Sequence, residues 1–112
     1  MASIKIMQGD SYAVFFGLDF NEEPITPDML SDVEIVVGNG DIRKLYSSGE
    51  VIYDKDLKEW YFRPTQNETF ALEPESYEVQ ARVKFRTGEY SDVKGITIGR
   101  IEILDANSEE VI

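Results

Sequence analysis

The chain has 112 residues, 42% of them hydrophobic and 12% aromatic, which is enough apolar mass for one packed core and too much for a disordered chain. It contains no cysteine and no histidine, so disulfides, thiolate metal sites, Cys nucleophiles, Ser-His triads and the commonest general base near neutral pH are all excluded. Acids outnumber basic residues 22 to 11, for a formal net charge of -11, and this field would repel a nucleic-acid backbone.

The opening Met1-Ala2-Ser3-Ile4-Lys5-Ile6 lacks the apolar run of a signal peptide. Nowhere does the chain reach the roughly 18 apolar residues of a membrane helix, so the expectation is synthesis in the cytoplasm without a leader and no membrane partner. Ile4–Met7 has strand character. Tyr12, Val14, Phe16, Leu18 and Phe20 then alternate with smaller or polar residues, predicting one long half-buried strand. Its second face carries Ala13, Phe15 and Gly17 and is itself partly apolar. Thr26-Pro27-Asp28 reads as a helical turn with an N-cap, a proline at the first position and an acid near the positive end.

Val33–Val37 follows as a strand with Val33, Ile35 and Val37 on one phase and Glu34 and Val36 on the other. Gly38-Asn39-Gly40-Asp41 supplies a reversal into Ile42–Tyr46. Ser47-Ser48-Gly49-Glu50 turns the chain again into Val51–Asp54, and a polar loop leads on to Glu59–Arg63. Thr65-Gln66-Asn67-Glu68 matches a capping box and predicts a second helical turn that crosses between sheets. Tyr77–Phe85 alternates strictly, with Arg82, Lys84 and Arg86 forming a basic stripe on the outward phase. After a reversal at Arg86-Thr87-Gly88-Glu89, the Gly95–Leu104 strand changes phase between Ile98 and Ile101, predicting a bulge near Gly99. Seven to eight short strands with turns every ten or so residues predict a single all-β domain over 1–112. Its expected form is an immunoglobulin-like antiparallel β-sandwich with one or two short helical turns, with a small barrel as the alternative.

No pattern marks a catalytic residue, a cofactor site or a metal site. Asp54, Asp56 and Glu59 could in principle hold calcium, but the loop lacks the glycine and ligand spacing of an EF-hand. Candidate interface residues are Ala13, Phe15 and Gly17, Val36, the outward Tyr61 beside the inward Trp60 and Phe62, and the stripe Arg82, Lys84 and Arg86. Each has a plainer alternative. Loops within the chain could cover Phe15 and Val36, and neighbouring acids could pair the stripe. Tyr12, Tyr61 and Tyr90 are the aromatics available for stacking on sugar rings.

The order of features also carries a resemblance. Ile4-Lys5-Ile6-Met7-Gln8-Gly9-Asp10 leads into the alternating strand, Glu23-Pro24-Ile25-Thr26-Pro27 precedes Val33-Glu34-Ile35-Val36-Val37-Gly38, and Ile42-Arg43-Lys44, Thr65–Phe70 and Val79–Phe85 follow. Nearly the whole chain is similar to small proteins from the tail region of prophages of Gram-positive bacteria. It also resembles the immunoglobulin-like N-terminal domain of phage baseplate upper proteins. The resemblance implies a non-enzymatic structural or adaptor role in a virion-associated tail or baseplate. Its partners there would be other tail proteins or further copies of the chain. A carbohydrate-binding β-sandwich is the alternative.

Overall fold

The computed structural model describes residues 2–86 and 93–106. The predicted reversal after Arg86, Tyr90 and the acidic stretch 108–112 fall wholly or mainly outside them. Ten strands are present: β1 (Ala2–Met7), β2 (Val14–Phe16), β3 (Asp19–Phe20), β4 (Glu23–Pro24), β5 (Leu30–Val37), β6 (Ile42–Leu45), β7 (Val51–Asp54), β8 (Glu59–Phe62), β9 (Ser76–Phe85) and β10 (Val93–Leu104). A five-stranded sheet in the order β1-β10-β9-β5-β6 faces a three-stranded sheet β2-β8-β7, and β3-β4 is a separate hairpin. The strand order is that of an immunoglobulin sandwich, with β10, β9, β5 and β6 in the places of G, F, C and C′ and β2, β8 and β7 in those of B, E and D.

Among the described residues all pairings are antiparallel except one. β1 runs parallel to β10, from Ala2 opposite Gly99 to Met7 opposite Leu104. Tyr77, at the start of β9, donates its hydroxyl to the Glu73 carbonyl at 2.9 Å, the tyrosine corner of this architecture. Val79, two residues on, stands where the family's second disulfide cysteine would be.

Alternation delivers the core. Val33, Ile35, Val37, Ala81 and Val83 from the large sheet are wholly buried, and they meet Val14, Phe16, Val51, Trp60 and Phe62 from the small one. The expected bulge is present: the β10–β9 register shifts between Thr97 and Gly99. Beyond it Ile101 and Ile103 take over the inward phase.

The predicted strand Tyr12–Phe20 is broken into β2 and β3, and the partner strand explains both breaks. Continuing the register of Val14 opposite Phe62 would set Tyr12 against Pro64, which has no amide hydrogen to give. At the other end the register runs into Lys58, which turns with φ 56°. The chain therefore leaves the sheet and doubles back through Asn21 and Glu22, both at positive φ, while Ile25 N–H bonds to the Leu18 carbonyl at 2.8 Å. Residues Pro27–Met29 form a 3₁₀ turn as expected, yet Thr26 gives it no side-chain cap, because its hydroxyl bonds to the Asp28 carboxylate instead.

The second helical turn, α1 (Gln66–Phe70), has the full capping box. Thr69, wholly buried, accepts from Gly9 N–H at 2.9 Å and donates to the Asp10 carbonyl at 3.0 Å, tying α1 to the turn after β1. Gly9 has φ 88°, and a Cβ there would lie 2.5 Å from the Phe70 ring, so only glycine fits. Lys44 occupies a core-facing position on edge strand β6 and reaches Glu68 of α1, Nζ to Oε1 2.8 Å. Burial pushes the Glu68 carboxyl up, but the Lys44 charge and the Thr65 N–H outweigh it and hold it below its ordinary value.

Both outer edges of the large sheet are partly blocked from within the chain. On β1, Tyr12 Oη donates to the Lys5 carbonyl at 2.8 Å, and Asp10 takes both Met7 N–H and, through its own N–H, the Met7 carbonyl. On β6, Glu50 occupies both backbone groups of Leu45. Such blocking keeps an edge from recruiting another strand.

Two substitutions test this frame. Trp60→Phe removes the indole N–H that bonds to the Ile25 carbonyl at 3.0 Å and leaves a void; denaturant titration should show a loss of about 2–3 kcal/mol with an unchanged slope. Glu68→Gln keeps the cap but removes the charge opposite Lys44 and should cost about 1–2 kcal/mol at neutral pH. A depressed folded-state pKa gives stability that is present above the ordinary carboxylate range and lost as pH falls through it. Parent and variant stabilities should therefore converge in acid, and a constant difference would contradict the ion pair.

Candidate interaction surfaces

The sandwich presents two outward faces of opposite character. On the three-stranded sheet, Phe15 lies opposite Tyr61 in the β2–β8 ladder, and Tyr61 lies opposite Ile52 in the β8–β7 ladder. The three side chains form one row across all three strands. Phe15 is 39% exposed and Ile52 41%, and the Phe15 and Tyr61 rings stack with centroids 4.8 Å apart. Tyr61 is half-buried by this contact, while Trp60 and Phe62, on the opposite phase, are core at 1%. Ala13 is half-buried, and Gly17 is exposed with open space above it, so small residues leave the row accessible at its β2 end.

The outer face of the five-stranded sheet is polar and internally paired. Glu34 accepts from Arg43 and from Arg82, the latter at 3.4 Å. Lys84 stands opposite Asp32 in the β5–β9 ladder, and Arg86 turns its guanidinium back to the Leu30 carbonyl at 2.8 Å. The stripe Arg82, Lys84 and Arg86 is thus largely engaged by its own neighbours, the plainer of the two alternatives. Val36 does take the outward phase, half-buried between Gln80 and Arg43. The apolar row and the stripe lie on opposite sheets and form no common site.

Tyr12 is 40% exposed, with its hydroxyl committed to Lys5. Asp54 uses its carboxylate to accept the N–H groups of Asp56 and Leu57, both at 3.0 Å, which makes the loop an Asx-type turn. Among the described residues no three acids gather as a metal site.

A third feature depends on how the two sheets meet, which no local pattern encodes. A cleft of about 80 Å³ opens at the side of the sandwich between β2 and β10, lined by Val14, Phe16, Phe62, Val79 and Ile98 among others. Ile101 and Ile103, flanked by β1, are 2% exposed, whereas Ile96 and Ile98 are half-buried.

Asp32 offers a test of how tightly the polar face is knit. Burial pushes its carboxyl up, but hydrogen bonds from Ser47 and from Val33 N–H, with the Lys84 charge, bring it below its ordinary value. Asp32→Asn should lose about 1 kcal/mol at neutral pH. Because the shift is downward, the loss should fade as pH drops through and below the ordinary carboxylate range; thermal melts of parent and variant across pH would show it. Set beside protein-family models, curated proteins and solved structures, the chain finds no match in any of the three.

Proposed function

We propose that this protein is a non-enzymatic interaction module that joins other proteins, or copies of itself, into a larger assembly through the outer face of β2-β8-β7. The Phe15–Tyr61–Ile52 row carries the reading: Phe15 and Ile52 stand open to solvent on either side of a half-buried Tyr61, on a chain with net charge -11. An apolar row on a strongly charged surface is where a partner gains most by covering it. With no histidine or cysteine, chemistry at the surface would fall to carboxylates and lysines alone, whereas docking needs only shape and apolar area.

The resemblance to prophage tail-region proteins and to the N-terminal domain of baseplate upper proteins fits the same role. On this reading the protein is a structural or adaptor part of a phage tail or baseplate, made in the bacterial cytoplasm and carried on the virion. Carbohydrate binding by the open Phe15–Tyr61 pair is the second reading. A glycan array separates the two, since sugar binding abolished by Tyr61→Ala would replace the assembly role.

Light scattering coupled to size-exclusion chromatography, alone and with tail proteins encoded beside it, tests the proposal. Phe15→Asp should weaken association at least tenfold while leaving the unfolding midpoint within a few degrees, because Phe15 is already partly solvated. Loss of folding with no assembly to lose would show that Phe15 serves only the core.

A further inference from the structure

The reversal between β5 and β6 holds Asn39-Gly40 at an exposed tip. Its positive φ angles fall on Gly38, at 65°, and Gly40, at 92°, with Asn39 on ordinary backbone between them. Asp41 closes the loop. Its N–H bonds to the Val37 carbonyl at 3.1 Å, and its carboxylate accepts the Asn39 N–H at 3.2 Å. Among the described residues, neither the Asn39 carboxamide nor the Gly40 N–H has a hydrogen-bond partner, and the space where a Gly40 Cβ would point is open.

These are the conditions under which an asparagine side chain reacts with its own backbone, a known source of thermal lability. Gly40 has no Cβ to shield its nitrogen, and no bond restrains the Asn39 carboxamide. We infer that Asn39 is a self-modifying site, which converts to aspartate and isoaspartate in the folded chain without enzyme or cofactor. The Gly40 nitrogen attacks the Asn39 Cγ and loses its proton. The bond from Cγ to the side-chain nitrogen breaks, ammonia leaves, and a succinimide ring closes. Water then adds to either ring carbonyl and the ring opens. Opening at the side-chain carbonyl gives aspartate, whereas opening at the main-chain carbonyl gives isoaspartate, in which the backbone runs through Cβ. One water enters, one ammonia leaves, and nothing is oxidised or reduced.

Two other asparagines provide internal comparison. Asn67 lies in α1, and the nitrogen that would attack it belongs to Glu68, whose N–H is held by the Thr65 hydroxyl at 3.1 Å. Asn21 is followed by Glu22, whose Cβ crowds the attacking nitrogen. At position 39 either product places a carboxylate beside Asp41, in an open cleft also lined by Glu73, Glu75 and Glu78, on a chain already at -11. Isoaspartate also lengthens the loop that Asp41 closes. Conversion accumulates with time, so young and old copies of the chain differ at this end of the large sheet. The row Phe15–Tyr61–Ile52 lies on the other sheet, and the inference stands apart from the interaction reading.

Peptide mapping by mass spectrometry on the intact chain, aged at mildly alkaline pH and sampled over time, tests it. Position 39 should convert at least tenfold faster than Asn21 or Asn67, and an isoaspartyl methyltransferase should label it. Asn39→Gln should abolish conversion at that position. The same time course in urea supplies the reference, and the folded chain should convert within tenfold of the unfolded one. Stronger protection by the fold, or conversion at Asn39 no faster than at Asn21, would overturn the site. Aspartate without isoaspartate would mean direct hydrolysis of the side-chain amide and would overturn the cyclic route.

Discussion

Trp60 holds the two sheets in register. It lies on the middle strand of the small sheet, 1% exposed, with Tyr53 and Tyr46 packed at centroid distances of 5.0 and 5.5 Å. Its N–H reaches the Ile25 carbonyl, where the chain returns from the β3-β4 hairpin before entering β5. One side chain thus fills the inter-sheet space and also fixes the crossover that delivers β5 to the large sheet. Where related sandwiches tie their sheets with a disulfide, Val14 and Val79 here line a common cleft, and aromatic packing stands in for the covalent link. An apolar core of this kind keeps its strength in a reducing environment.

Polar groups inside the molecule follow the same economy. Among the described residues no buried side-chain nitrogen or oxygen lacks a hydrogen-bond partner. Lys44 and Thr69 are the two buried polar residues, and both bind to or sit in α1. A five-residue helix is far too short to be stable alone. It persists because a capping box closes its start, Lys44 anchors Glu68 from the edge of the large sheet, and Thr69 ties it to the turn after β1. The loop joining the two sheets is therefore set by three polar contacts together with the burial of Pro64 and Leu72.

Much of this was legible in the sequence because period-two alternation constrains which face each residue takes. Trp60 and Phe62 inward with Tyr61 outward, the two phases of Val33–Val37, the capping box at Thr65 and the bulge near Gly99 all follow from local pattern. What stayed hidden depends on partners distant in the chain. Tyr12–Phe20 alternates without a fault, yet its length in the sheet is limited by Pro64 and Lys58, roughly forty to fifty residues away. Lys44 shares the phase of Ile42, but nothing near it in the sequence shows what its charge meets until α1 supplies Glu68. The parallel pairing of β1 with β10 is a matter of topology that no local pattern encodes. Of the candidate surface residues, Phe15 and Tyr61 do come together, and Ile52, which completes their row, was missed because Val51–Asp54 is too short to show alternation.

The size of the apolar row bears on how such a module can work. Phe15, Tyr61 and Ile52 together leave on the order of 200 Å² of apolar surface to cover, worth about 5 kcal/mol at 25 cal/mol per Å². Association between free molecules costs about 4–15 kcal/mol, so the row alone gives at best weak binding between two free proteins. In an assembly that tethers many copies, or that engages a second surface of the same domain, later contacts become intramolecular and the same few kilocalories suffice. Self-pairing through one small face is thereby disfavoured, and a place among several neighbours is favoured. The five-stranded face, with Glu34, Asp32 and the basic stripe largely satisfied by one another, adds little attraction of its own; what it adds is solubility for a chain that keeps an aromatic row open on its other side.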